Sequence, residues 1–191
     1  MTSSPAGLLL LSGGQSRRMG EAKHALRHPA GGTWGGYLVR VFESVFPGAP
    51  VHVLGDPLPD RPELVVIEDP HEGPARALRA WAALEAPPGR RWWVVACDQV
   101  RWTPERLEAW VRCAEAADPG AALWVVAEHD GRLQPLGGWL SSSLRPAVAA
   151  SSPQSLTALA ESLPHLVLPC DGPEWVDVDT PEERRAFEEE P

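Results

Sequence analysis

Gly7-Leu-Leu-Leu-Leu-Ser12 runs directly into Gly13-Gly-Gln-Ser-Arg-Arg-Met-Gly-Glu-Ala-Lys23. The first part is a continuous apolar run bounded by glycine, the mark of a strand buried on both faces. The second is a glycine-rich loop that closes on the only lysine of the chain; the other 16 of the 17 basic residues are arginine. An ammonium and a guanidinium differ in size, hydration and reach. Lys23 therefore reads as a position where arginine would not fit. Gly13 and Gly14 leave backbone amides open to an anion, and Arg17, Arg18 and Lys23 supply charge. The spacing is not that of a Walker P-loop, because Gly20 is followed by Glu21-Ala22-Lys23. Nor is it the dinucleotide fingerprint. The physics is nevertheless that of a phosphate cradle.

Outward from this stretch, strand and helix patterns alternate. Trp34–Val45 carries Tyr37, Leu38, Val41, Phe42 and Val45 at helical spacing, and Pro47 ends it. Val51–Leu54 and Leu64–Ile67 read as short strands. Gly73–Leu84 reads as a helix with Pro74 in its first turn. Trp92–Cys97 is a second buried strand, and it ends on Asp98. Thr103 caps a helix that runs to about Ala117. Ala121–Ala127 is a further strand, and 132–140 an edge or crossing strand. Ser141–Ala149 and Ser155–Ser162 read as helices, Leu166–Leu168 and Trp175–Val178 as short strands. Thr180-Pro181-Glu182-Glu183 starts a last helix whose acidic first turn suits the helix dipole. The alternation predicts an α/β fold, with a mostly parallel sheet between two helical layers. Ligands of such sheets bind beyond the carboxyl ends of the strands, where the glycine-rich loop and Asp98 both fall.

Composition narrows the function. A length of 191 residues predicts one domain spanning 1–191. No apolar run approaches the roughly 20 residues of a membrane span, so no membrane partner is expected. Net charge is −9, yet residues 13–28 sum to +3 and the remainder to −12. That balance argues against nucleic acid, which needs a broad basic surface. It favours an anionic ligand held in one cationic pocket, with a metal ion. Cys97, Cys113 and Cys170 have no metal-ligand spacing, and a reducing cytoplasmic location fits them. The nine tryptophans follow strand and helix patterns and are read as core. A carboxylate at the tip of the apolar strand 92–97 leaves a dry core and needs a cation or a hydrogen-bond partner. Asp98 is accordingly read either as a cap of the following turn or, functionally, as a hard oxygen ligand for Mg²⁺.

Leu11–Lys23 resembles the L-A/S-G-G-x-S-x-R-M-G-x-D-K signature of MobA-like nucleotidyltransferases, with the molybdenum cofactor guanylyltransferases the nearest pattern. Further segments are similar in family order. Glu68-Asp69-Pro70 with Gly73-Pro74-Ala75-Arg76-Ala77-Leu78 matches a segment whose aspartate and glycine contact the guanosine. Ala96-Cys97-Asp98 matches one whose aspartate binds magnesium. Gln134-Pro135-Leu136 and Val176-Asp177-Val178-Asp179-Thr180-Pro181-Glu182-Glu183 complete the series. Asp177 and Asp179 stand where the family commonly has asparagine, a residue this chain lacks altogether. Asp179 is read either as the cap of the last helix or as part of a magnesium shell. Three positions depart from the pattern: Ala22 for an acid, Val100 for a proline, and 28–36 for a G-K/R-P-M/L entry to the first long helix.

The resemblance implies a three-layer, Rossmann-like nucleotidyltransferase fold of the nucleotide-diphospho-sugar transferase type. It implies transfer of GMP from GTP to molybdenum-molybdopterin with release of pyrophosphate, with Mg²⁺ as cofactor. Transient contact with cofactor-donor or acceptor proteins is a further expectation. Implied nucleotide-binding residues are Leu11, Gly13, Gly14, Arg18, Lys23, Asp69, Gly73 and Asp98. Arg18, Lys23 and Asp98 would be catalytic, and Asp98 and Asp179 would hold metal. Two alternatives stay open. One is a related transferase with another base or acceptor, such as a cytidylyltransferase or a sugar- or alcohol-phosphate enzyme. The other is a non-catalytic nucleotide-binding protein.

Overall fold

The computed structural model describes residues 6–13, 21–69, 72–84 and 90–190. Gly14, Arg17, Arg18 and Gly20 lie outside them. The Gly7–Ser12 run forms β1 (Ala6–Leu11), buried along its whole length. It is flanked in parallel by β2 (Val51–Leu54) and by β4 (Arg91–Ala96), with Leu11 opposite both Leu54 and Ala96. β3 (Val65–Ile67) extends the sheet beyond β2. Beyond β4 lie β6 (Arg132–Ser141), β5 (Trp124–His129) and β7 (His165–Pro169). The order is β3-β2-β1-β4-β6-β5-β7, in which only β6 runs antiparallel to its neighbours. The chain leaves β1 toward β2 and returns to the other side of β1 with β4. The β1/β4 boundary is therefore the point at which strand order switches.

A strand sends successive side chains to opposite faces, and β1 shows why both faces are covered. Leu8 and Leu10 enter one core with α1 (Trp34–Val45) and α3 (Pro104–Ala117). Leu9 and Leu11 enter the other with α2 (Pro74–Ala82), α4 (Arg145–Ala150) and α5 (Leu156–Glu161). Each fully buried leucine contributes about 1.5–3 kcal/mol. All nine tryptophans are buried. Trp93, Trp102, Trp110 and Trp175 meet edge to face at 5.0–5.2 Å. The indoles of Trp93 and Trp110 both donate to Gly137 O, at 3.0 and 2.8 Å. This cluster fixes Trp175, two residues before Asp177.

Two element expectations are corrected. The stretch 132–140 is an interior strand between β4 and β5, since the sheet edges are β3 and β7. Trp175–Val178 is not a strand: Pro173–Trp175 forms a 3-10 turn, after which the chain runs extended and Val178 N donates to Asp98 O at 3.1 Å. The last helix, α6 (Pro181–Glu188), opens on a full capping box, with Thr180 accepting from Glu183 N and Glu183 reaching back. No described helix is long and apolar enough to cross a membrane.

Candidate active site

Three separate segments converge beyond the carboxyl ends of β1 and β4. The first is the 3-10 turn Lys23–Ala25, the second is Cys97-Asp98 at the end of β4, and the third is Asp177–Asp179 ahead of α6. A small satellite core holds them together. It contains Leu26, Val100 and Val178, one residue in or near each segment, with Trp34 and Phe187. Lys23, Asp98 and Asp179 each lie within three residues of one of these buried anchors.

Lys23 Nζ lies 2.9 Å from Asp98 Oδ2 and 2.5 Å from Asp179 Oδ1. Burial alone would push the ammonium down, but Asp98 and Asp179 outweigh it and hold Lys23 above its ordinary pKa. Thr180, not Asp179, caps α6, and the Asp179 carboxylate accepts from Lys23. Among the described residues, Asp98 Oδ1 and Asp177 Oδ1 are buried oxygens with no hydrogen-bond partner. Buried polar atoms are nearly always satisfied, so two such oxygens beside one another's charge mark a site that is completed by something else. Burial, then Asp98 and Asp179, push the Asp177 carboxyl up to about 7, with Lys23 opposing. Among the described residues, no three or more His, Cys, Asp or Glu side chains are grouped to hold a metal by themselves. A pair of carboxylates completed by phosphate and water oxygens is the usual magnesium arrangement, and the hard oxygens present here fit it.

The β2 side of the loop is built differently. Gly13 N donates to Leu54 O at 3.3 Å, so this amide faces inward, not toward an anion. What Gly13 contributes is the missing Cβ: one there would come 2.6 Å from Asp69 Oδ2. Gly55, which sequence reasoning missed, is the residue on which this turn rests. It has φ +120°, and an added Cβ would lie 2.4 Å from Gly13 N. Its only sequence signal is a glycine directly after a strand. Gly55→Ala is expected to lower stability by roughly 2–3 kcal/mol and to weaken nucleotide binding at least about tenfold. Thermal unfolding and nucleotide titration check both, and an unchanged affinity would show that the Gly13 turn tolerates displacement.

His24 was also missed. It is buried, and its Nδ1 donates to Ser12 O at 3.0 Å, while Ser12 Oγ donates to Asp56 O at 2.6 Å. This ties the lysine turn to the end of β1. Leu11 is buried in the ladder, its carbonyl accepting from Cys97 N at 3.1 Å. Gly73 heads α2 at φ +98°. The structure thus brings Lys23, Asp98 and Asp179 together, and Gly13 with Asp69. Arg18 and Gly14 fall outside the described residues. Cys97, next to Asp98, is buried, and burial raises its thiol pKa, so it is no nucleophile.

A family model described as the MobA-like NTP transferase domain matches residues 8–167. No curated protein matches the sequence. Among solved structures, the chain is similar to molybdopterin-guanine dinucleotide biosynthesis protein A from Archaeoglobus fulgidus. The TM-score is 0.72 at 18% identity, over 96% of this chain and 97% of that one. It is similar to Rv0371C of Mycobacterium tuberculosis in complex with manganese, with TM-score 0.61, 21% identity and coverage of 96% and 97%. A third similar structure is 4-diphosphocytidyl-2C-methyl-D-erythritol synthase, with TM-score 0.65, 14% identity and 96% of both chains covered.

Proposed function

This chain belongs to the MobA-like NTP transferase family and is a nucleotidyltransferase, and from that premise we propose that it transfers GMP from GTP to molybdenum-molybdopterin. The terminal phosphate oxygen of the pterin attacks the α-phosphorus of GTP. The bond from that phosphorus to the β-phosphate bridging oxygen breaks, and pyrophosphate leaves. Both reactants are anions, so catalysis is chiefly charge neutralisation and alignment. The single observation that carries this reading is the convergence of Lys23, Asp98 and Asp179 on one point.

Asp98 and Asp179 would hold a divalent cation, proposed as Mg²⁺, which when bound neutralises phosphate charge. Lys23 offers its ammonium to the oxygens that gain charge as pyrophosphate departs. Arg18, from the sequence pattern, would assist it. Gly13 and Asp69 shape the nucleoside side of the loop, and Gly73 starts the helix beside it.

Pyrophosphate release from purified protein with molybdenum-molybdopterin and either GTP or CTP tests the reading. Release with GTP at least about tenfold faster than with CTP is expected, a ratio worth about 1.4 kcal/mol. A preference for CTP would replace the base, and release with neither would remove the transferase reading. Lys23→Arg is expected to lower turnover by about 10- to 100-fold, because a planar guanidinium cannot sit between the two carboxylates as an ammonium does. Wild-type rates in steady-state assays of this variant would make Lys23 a peripheral charge.

A further inference from the structure

Lys23 Nζ is shared by two carboxylates from different segments, Asp98 Oδ2 at 2.9 Å and Asp179 Oδ1 at 2.5 Å. These two oxygens therefore lie no more than about 5.4 Å apart, and the ammonium is within hydrogen-bond reach of both. A magnesium or manganese ion bound to both would stand roughly 2.0–2.2 Å from each, which needs the oxygens no more than about 4.4 Å apart. Lysine and metal would thus compete for the same two oxygens. They would also be like charges on the same pair of carboxylates in a partly buried site, which disfavours simultaneous occupancy. Lys23 is well shielded there, its side chain 12% exposed against 46% for Asp179.

We propose that Lys23 is a resident counter-ion that closes the Asp98–Asp179 pair to a divalent cation until a nucleoside triphosphate arrives. The inference rests on the transferase reading above and adds an order of events to it. A triphosphate carries anionic oxygens that can receive the ammonium, and lysine has a flexible four-carbon stem on which to move to them. The same oxygens complete the shell of a cation that two carboxylates hold weakly. Departure of Lys23 and entry of the metal then become one exchange, driven by the nucleotide. The linkage is reciprocal: metal tightens nucleotide binding by the factor by which nucleotide tightens metal binding. A site closed in this way does not hold a metal ion beside an acceptor when there is no nucleotide to react.

Mn²⁺ binding is measured on the full chain by electron paramagnetic resonance and calorimetry. Wild type is compared with Lys23→Met, each with and without a guanosine triphosphate whose α–β bridge is methylene. Wild type is expected to bind Mn²⁺ at least about tenfold more weakly without the nucleotide than with it. Lys23→Met is expected to bind Mn²⁺ without nucleotide at least about tenfold more tightly than wild type does, and to gain more in melting temperature from Mn²⁺. A Lys23→Met protein that binds no tighter overturns the inference and leaves the transferase reading standing, provided wild type binds Mn²⁺ with the nucleotide. A wild type that takes up no Mn²⁺ even with the nucleotide overturns both. Should Lys23→Met fail to fold, wild type decides alone: equal Mn²⁺ affinity with and without nucleotide overturns the inference.

Discussion

Asp98→Ala is expected to lower nucleotidyl transfer by at least about 10³-fold while leaving the melting temperature unchanged or raised. The two halves of this expectation have separate causes. Asp98 is the only one of the three site carboxylates that sits at the end of a central strand, with Cys97 N bonded to Leu11 O beside it. Its position is thus fixed by the β1–β4 ladder and not by the side chain. Its backbone carbonyl receives Val178 N, a contact that survives the substitution. Its Oδ1 is buried without a partner among the described residues, and such an oxygen costs about 1–3 kcal/mol. Removing the carboxylate relieves that cost and forfeits the ion pair with Lys23, so the fold loses little. Transfer loses one of the two carboxylates that would hold the cation. Pyrophosphate release and calorimetry on the same preparation check both halves. Turnover within tenfold of wild type would remove Asp98 from the mechanism; a collapse in melting temperature would make it a structural ion pair.

The segments that set the fold were legible because burial on both faces writes itself into sequence as an unbroken apolar run, as in β1 and β4. Helix starts were legible where a side chain must satisfy the first amides, as Thr103 and Thr180 do. The interior place of β6 was not, because strand order comes from pairing over long separations, and the run 132–141 is half polar at its first residues. The extended segment 176–179 alternates like a strand, yet its partner is one carbonyl of Asp98 and not a neighbouring strand. The satellite core was invisible for a related reason. Leu26, Val100 and Val178 are isolated residues from three loops and make no periodic pattern.

Departures from the family pattern turn out to be local neighbours. His28 lies in the altered 28–36 stretch, and its Nε2 donates to the carbonyl of Val100, the residue in the place of a proline, at 3.3 Å. Ala30 N donates to Nδ1 of the same ring at 3.0 Å, which fixes the tautomer. The ring stacks on Tyr37 at 3.5 Å, and burial holds its pKa below the ordinary histidine value. The entry to α1 is secured from elsewhere, by Asp60, which accepts from Thr33 N at 2.9 Å and Thr33 Oγ1 at 2.7 Å. No reading of residues 28–36 alone could supply a partner 27 positions away.

Asp177→Asn is expected to stabilise the ligand-free protein in a pH-dependent manner. Burial first, then Asp98 and Asp179, raise the Asp177 carboxyl to about 7 in the folded chain. In the unfolded chain it titrates near 3.9. Between those values the folded state binds more protons at this position than the unfolded state, so stability falls as pH rises. Below about pH 4 both states are protonated, and the residue is neutral toward folding. Above about pH 7 the full cost applies, on the order of 2–4 kcal/mol for a shift of about three pH units in a site that still touches solvent. Asparagine keeps the shape and carries no charge to desolvate. The gain from Asp177→Asn should therefore be near zero at pH 4 and about 2–4 kcal/mol at pH 8, a difference that urea unfolding at the two pH values measures. A gain equal at both would mean that the effect comes from packing and not from charge. Adding Mg²⁺ with nucleotide should shrink the gain at pH 8, because a bound cation favours the ionised form of every carboxylate around it.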